Sequence, residues 1–264
     1  MPPIQLLATD LDGTALRHGG TVAPAVRSAL DRARGAGIVV VAATGRPPRF
    51  TQRAALELGI DGYAVCSNGG VTYHVGDEEL IDVQPLGAAV RPTVERLRAA
   101  APGVAFAAEW ELTFAFEAAF EAAIPERPDQ PPLVGDVLDL ATEQMHKILA
   151  VHPEIDGEAL WKIAVDALDG SAAASHSGLG FVEIAGPGVD KASGLARLCE
   201  RLDIDPALTA AVGDNVNDLE MLEWAGRSFA MGGSNPSVLA AADEEVPDSE
   251  HDGVVEVVSR LLGD

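Results

Sequence analysis

The sequence predicts an α/β protein: a doubly wound, Rossmann-like parallel sheet carrying an inserted α+β domain. Three observations predict it. Short runs that are apolar throughout, such as Ile38-Val39-Val40-Val41-Ala42 and Thr209-Ala210-Ala211-Val212, suit parallel strands covered on both faces. Segments of helical spacing alternate with these runs. Clusters of Asp, Thr, Asn and Gly then follow the runs, at the end of the strand where open α/β sheets bind ligands.

In chain order, Ile4, Leu6, Leu7 and Ala8 form the first short strand, and Asp10 and Asp12 sit where it gives way to a loop. Gly13 permits the tight turn that follows. Pro24 to Ala36 has helical spacing through Val26, Leu30 and Ala33, and Gly35 and Gly37 close it before the strand at 38–42. That strand ends in Ala43-Thr44-Gly45-Arg46, and Pro47 and Pro48 suit the first turn of a helix reaching about Leu58. Tyr63 to Cys66 is a third strand, followed by Ser67-Asn68-Gly69-Gly70, a loop rich in backbone donors. Val71 to Val83 reads as a hairpin turning through residues 75–79.

From about Pro85 the pattern changes. A helix at Ala88–Ala100 precedes strands at Val104–Ala108 and Leu112–Phe116, a section with Pro125, Pro128, Pro131 and Pro132, and a strand at Lys147–Val151. Asp156–Asp166 reads as helix, and Ala172–His176 with Gly180–Ile184 as a second hairpin. Sheet with helices on one face is the expected layout. The expected division is a core in two parts, 1–84 and 187–264, around an inserted domain at 85–186, with Gly186-Pro187-Gly188 as hinge. Asp190 can cap a helix from Lys191 to Leu202. The strand at 209–212 ends in Gly213-Asp214-Asn215-Val216-Asn217-Asp218, and alternation continues through Phe229-Ala230-Met231-Gly232 to an amphipathic helix at Gly253–Leu262.

Composition excludes several classes of function. The 41 acidic residues against 18 Lys+Arg give a formal charge of −23, which repels nucleic acid and anionic membrane surfaces, so neither is an expected partner. No apolar run reaches the roughly 18 residues of a membrane helix, and no basic stretch with a cleavage site precedes the first strand; the expected location is the cytoplasm. Cys66 and Cys199 sit among apolar neighbours and read as buried thiols. The six histidines have no paired metal spacing, so a zinc site is not expected. Any anionic substrate must be drawn in locally, by a metal or by a few placed cations.

Asp10 and Asp12, Thr44, Lys191, and Asp214 with Asn217 and Asp218 lie at strand ends or helix starts that one parallel sheet can gather along a single edge. Carboxylates converging there need a cation to stay ionised, and an all-oxygen set matches Mg²⁺. Lys191 and Thr44 supply the positive charge and hydroxyl that phosphoryl oxygens require. Lys191 is informative by position, because the helix dipole disfavours a cation in the first turn. A carboxylate nucleophile, a metal and a phosphate clamp together point to phosphoryl transfer through an aspartyl-phosphate.

Asp10-Leu11-Asp12-Gly13-Thr14, Thr44-Gly45-Arg46, Lys191 and the run at 213–218 are similar, in order and spacing, to the four motifs of the haloacid dehalogenase superfamily. The chain resembles its Cof-type phosphatases with a large α/β cap, which Ser67-Asn68-Gly69-Gly70 and Met231-Gly232 also resemble. The resemblance covers the two core parts, and residues 85–186 match only in size and placement. It implies Asp10 as nucleophile and Mg²⁺ ligand, and Asp12 as the group that protonates the leaving alkoxide, deprotonates the hydrolytic water and gives its carbonyl to the metal. Asp214 would be a further carboxylate ligand, Asp218 a ligand or a residue just behind one. Thr44, Gly45, Asn217 and Lys191 would hold the phosphate.

The expected activity is Mg²⁺-dependent hydrolysis of small phosphate monoesters such as sugar or sugar-acid phosphates. Two alternatives stay open: a phosphomutase of the phosphomannomutase type, and a slow-turnover phosphoacceptor or metabolite-binding protein. Arg46 and Arg49 read as surface or packing residues, and Glu109-Trp110-Glu111 as a solvated turn with a packed Trp, the alternative being a specificity loop. No motif speaks to oligomeric state.

Overall fold

The computed structural model describes residues 3–123, 131–176 and 180–264. The first part of the chain runs β1 (Leu6–Thr9), α1 (Pro24–Gly35), β2 (Val39–Ala43), α2 (Pro48–Glu57), β3 (Tyr63–Cys66), β4 (Val71–His74) and β5 (Glu79–Val83). The middle follows with α3 (Val90–Ala100), β6 (Ala105–Trp110), β7 (Thr113–Phe116), β8 (Leu133–Val134), α4 (Val137–Leu140), β9 (Lys147–Val151), α5 (Gly157–Leu168), β10 (Ala173–Ser175) and β11 (Val182–Ala185). The last part holds α6 (Lys191–Leu202), β12 (Thr209–Gly213), α7 (Leu219–Trp224), β13 (Arg227–Met231), α8 (Pro236–Ala241), β14 (Glu244–Val246) and α9 (Gly253–Leu262). The chain gathers into two compact units, residues 1–82 with 190–264, and residues 83–189.

In the first unit an eight-stranded sheet has the order β14-β13-β12-β1-β2-β3-β4-β5 among the described residues. The six strands from β14 to β3 run parallel, and β4 is antiparallel to β3. All four residues of β1 are buried, which is why its sequence is apolar without alternation. Leu6 and Ala8 pack with Val41, Val65, Leu195, Leu198, Met221 and Val238 in one cluster that takes in α6, α7 and α8. The intervening Leu7 is also fully buried, and α1 and α9 pack against one another. The buried residues of α1, Val26, Ala29, Leu30 and Ala33, make one helical stripe. The chain winds outward from β1 through β2 to β3 and from β12 through β13 to β14, so the reversal of strand order lies between β1 and β12. Ligands of doubly wound sheets bind at such a reversal, beyond the carboxyl ends of the strands.

In the second unit a six-stranded sheet has the order β10-β11-β9-β6-β7-β8 among the described residues. The apolar stripes of α3 (Val90, Val94, Leu97) and α5 (Leu160, Ala164, Leu168) pack onto one face with Phe106, Ile148, Val182 and Ile184. On the other face Phe114, Phe116, Leu149 and Phe181 form a second cluster with Phe120 from the short turn at Ala118–Ala123. Helices on one face match the expected α+β layout. The expected section with Pro125 and Pro128, and the turn of the hairpin at 177–179, lie outside the described residues.

Two local expectations change. Glu109 and Trp110 are not in a solvated turn: they end β6, where Glu109 is buried and stands opposite Lys147 of β9 in register. Lys147 in turn pairs with Glu183 inside that sheet, so Glu109 sits beside a cation and not in water. The helix expected from Ala88 begins at Val90, after a short turn at Gly87–Ala89. Cys66 and Cys199 are buried and in no disulfide, as expected, and burial pushes the Cys199 thiol up to about 11. Among the described residues no helix is long and apolar enough to cross a membrane.

Candidate active site

Asp10 follows β1 and Asp214 follows β12, the two strands flanking the reversal, so their carboxylates converge because the strands are hydrogen-bonded neighbours. Asp218 comes from the short turn Val216–Asp218 and folds back toward its own strand end. One carboxylate oxygen from each of Asp10, Asp214 and Asp218 lies within 4.8 Å of the other two.

Lys191 completes the cluster. Asp190 caps α6 by accepting from the Ser193 N–H at 2.7 Å, and Ser193 Oγ accepts from the Asp190 N–H at 3.0 Å. This capping box sets where α6 starts, and hence where Lys191, its first residue, points. The Lys191 Nζ donates to Asp10 Oδ1 and to Asp218 Oδ1, both at 2.6 Å, and the side chain is fully buried. A buried ammonium is tolerated only when paired and hydrogen-bonded, and two carboxylates meet that need. Their attraction outweighs the unfavourable helix dipole at this position.

Asp218 spends both oxygens on this structure. Its Oδ1 accepts from Lys191, and its Oδ2 accepts from the backbone N–H groups of Asp214 and Asn215, each at 3.0 Å. Asp214 is oriented instead by Thr14, whose hydroxyl donates to its Oδ1 at 2.7 Å. Gly13 makes that approach possible: its φ is +86°, and a Cβ there would lie 2.6 Å from Asp214 Oδ2.

Three acids around one lysine leave excess negative charge. Burial holds the Asp10 carboxyl well above the ordinary carboxylate range, against the pull of Lys191, and Asp218 and Asp214 push it the same way as burial. Burial likewise pushes Asp214 up to about 6, with the Thr14 hydrogen bond opposing and the Asp218 charge adding to the rise. For Lys191 burial disfavours the charge, but Asp10 and Asp218 more than offset it and raise its pKa above the usual lysine value. An all-carboxylate set that is under-neutralised and partly dry fits a small hard dication, so the residues present suit a divalent metal.

The remaining expected residues are distributed around this cluster. Thr44 follows β2 and is buried, its N–H donating to the Val65 carbonyl at 2.8 Å and its Oγ1 accepting from the Arg46 N–H at 3.1 Å. The hydroxyl proton is left to donate. Gly45 is the next residue of that turn, and Asn217 lies in the same turn as Asp218.

The Asp12 side chain stands apart from the three clustered carboxylates. Arg46 grips it with Nε to Oδ2 at 2.7 Å and Nη2 to Oδ1 at 2.5 Å. Arg46 is therefore neither a bare surface residue nor a packing residue: it holds the Asp12 carboxylate, a pairing the sequence does not reveal. Thr14 and Asn68 were missed too: Thr14 orients Asp214, and Asn68 Oδ1 accepts from Asn217 Nδ2 at 3.2 Å. Each stands in a motif that had been singled out, but its partner lies far along the chain.

Comparison with known proteins gives the family of the chain. A family model described as haloacid dehalogenase-like hydrolase matches residues 7–258. The phosphoglycolate phosphatase of Haloarcula marismortui is 28% identical over 255 residues, covering 96% of this chain and 95% of its own. A crystal structure of a haloacid dehalogenase-like hydrolase from Bacteroides thetaiotaomicron is 25% identical, with a TM-score of 0.76 over 98% of this chain and 99% of its own. A HAD subclass IIB sugar phosphatase of known structure shares the fold, with a TM-score of 0.82 at 18% identity over 98% of this chain and 99% of its own. The chain belongs to the haloacid dehalogenase-like hydrolase family, among its phosphatases.

Proposed function

We propose that this phosphatase is Mg²⁺-dependent and hydrolyses small phosphate monoesters, sugar or sugar-acid phosphates, through an aspartyl-phosphate on Asp10. The observation that carries the reading is the buried Lys191 Nζ held 2.6 Å from both Asp10 and Asp218, with Asp214 in the same cluster. A carboxylate so placed at the end of β1 is shielded from water and fixed in direction, the two conditions a weak nucleophile needs.

In the first half-reaction an Asp10 oxygen attacks phosphorus, the bond from phosphorus to the ester oxygen breaks, and Asp12 gives the leaving alkoxide its proton. In the second, Asp12 takes a proton from water as the water attacks phosphorus, and the bond to Asp10 breaks to release inorganic phosphate. Thr44, the Gly45 backbone, Asn217 and Lys191 hold the phosphoryl oxygens. Asp10, Asp214 and the Asp12 carbonyl would hold the metal. Asp218, whose oxygens are taken up by Lys191 and two backbone N–H groups, serves to place those residues. When bound, the metal would neutralise charge on the phosphoryl group and on the converging carboxylates.

The division into core parts 1–84 and 187–264 with a substrate-selecting cap at 85–186 belongs to the same proposal. A relative named for phosphoglycolate supports a small anionic ester as the substrate class. The test is phosphate release from a panel of sugar and hydroxy-acid phosphates with and without Mg²⁺. Activity should need the metal, and Asp10→Asn should lower it by about 10³-fold or more. Full activity in Asp10→Asn would remove the aspartyl-phosphate mechanism.

A further inference from the structure

The loop Ser67-Asn68-Gly69-Gly70 follows β3 and carries none of the groups assigned to the reaction, yet its backbone is the most unusual in the first unit. Ser67 and Asn68 are consecutive non-glycine residues in the left-handed region, with φ of +52° and +51°. Such a conformation costs of order 1 kcal/mol or more per residue and persists only where surrounding contacts impose it. Here they come from three other segments of the site. The Ser67 N–H donates to the Arg46 carbonyl at 2.9 Å, and the Asn68 N–H to the Thr44 carbonyl at 3.0 Å. Gly69, at φ +93°, lies so close to the helix-capping residue that a Cβ would be 1.9 Å from the Asp190 carbonyl oxygen, next to Lys191. The third contact is between side chains: Asn68 Oδ1 accepts from Asn217 Nδ2 at 3.2 Å.

An asparagine carboxamide can turn over to present either its oxygen or its nitrogen. With Asn68 Oδ1 as partner, Asn217 is committed to presenting its nitrogen, and one of its two N–H groups remains for another acceptor. Asn68 is itself buried, 6% exposed, so it cannot easily turn away. Asparagine is also the side chain that best tolerates a left-handed backbone while reaching such a partner.

We propose that Asn68 is a positioning residue for the phosphoryl site: its side-chain oxygen fixes the Asn217 carboxamide so that the free N–H faces the phosphoryl group. The backbone strain at 67–68 is what brings that oxygen to Asn217. This rests on the reading that Asn217 holds phosphate, and the experiment separates failure of one from failure of the other.

The probes are p-nitrophenyl phosphate as substrate and orthovanadate as competitive inhibitor, with the Mg²⁺-loaded full chain. Asn217→Ala should raise the vanadate inhibition constant about 10–100-fold, the scale of a lost hydrogen bond to a charged group. Asn68→Gly, which keeps the left-handed backbone free of strain, should raise it about 3–10-fold. In the Asn217→Ala background the same Asn68→Gly change should have no further effect, since a residue acting through Asn217 has nothing left to act on. Asn68→Ser provides a second variant with the same expected cycle, should the glycine variant fail to fold. A large effect of Asn217→Ala with no effect of either Asn68 variant, or with fully additive effects, overturns the positioning role alone. An unchanged inhibition constant in Asn217→Ala overturns the phosphate-holding reading of Asn217 and the proposal with it.

Discussion

Arg46 and Asp12 form a two-pronged ion pair, guanidinium to carboxylate, across 34 positions of sequence. Both Asp12 oxygens accept from Arg46, so the pairing fixes the direction of the carboxylate. On the proposed mechanism, in which Asp12 protonates the leaving group, removing Arg46 should therefore misalign that acid.

Arg46→Gln should lower activity on alkyl phosphates about 10–100-fold, within the range ascribed to a positioned acid or base. On p-nitrophenyl phosphate, whose leaving group needs no proton, the change should be about threefold or less. Equal losses on both substrates would show that Arg46 acts on something other than the leaving group.

Lys191 balances Asp10 and Asp218 inside the protein, so its removal leaves buried carboxylates facing one another. Lys191→Met should destabilise the metal-free protein by about 3–5 kcal/mol, the cost of breaking a buried pair from one side. Adding Asp10→Asn should recover part of that loss, because one of the repelling charges is gone. Denaturant unfolding of the single and double variants measures both, and a double variant less stable than Lys191→Met would contradict the electrostatic account.

Asp214 has its pKa raised from an ordinary carboxylate value to about 6, chiefly by burial. A raised carboxylate binds its proton more tightly folded than unfolded. Its contribution to stability is full below the unfolded value near 4 and is lost as pH rises through about 6. Asp214→Asn should thus stabilise the metal-free protein at pH 8, by about 1–3 kcal/mol, with the gain shrinking toward pH 4. Mg²⁺ should stabilise the unmodified protein more at pH 8 than at pH 5, since protons and metal compete for the same oxygens. Melting temperatures across pH, with and without Mg²⁺, give both results; a larger Mg²⁺ effect at the lower pH would be the wrong sign.

The formal charge of −23 implies self-repulsion in the compact state. Of three lysines, Lys147 and Lys191 are buried in ion pairs, so surface cations are mainly arginines, far outnumbered by the acidic residues. Raising NaCl from 0.1 M to 1 M shortens the screening length from about 10 Å to about 3 Å. The melting temperature should rise over that interval, and a fall would show that salt weakens attractive pairs more than it relieves repulsion.

What was legible in the sequence is what local chemistry decides. Apolar runs without alternation marked buried parallel strands, and Tyr63–Cys66, Lys147–Val151, Lys191–Leu202 and Gly253–Leu262 form over the expected residues. The acids and hydroxyls at strand ends were visible because parallel strands put their carboxyl ends on one edge, so Asp10, Thr44 and Asp214 needed no coordinates to be grouped. Pairings between side chains far apart in sequence were not legible. Thr14 meets Asp214 across 200 positions and Asn68 meets Asn217 across 149, through side-chain rotamers and backbone angles that only the packed sheet imposes. Arg46 illustrates the limit: an arginine after a strand is by itself a solvated cation, and only the turn beyond β1 brings Asp12 within reach. Glu109 makes the same point, since a run of Glu-Trp-Glu reads as exposed until Lys147 stands opposite it in the sheet. The sequence alone determined the class of chemistry and pointed to candidate residues for it; the tertiary structure decided which side chain orients which, because hydrogen bonds fix direction and composition does not.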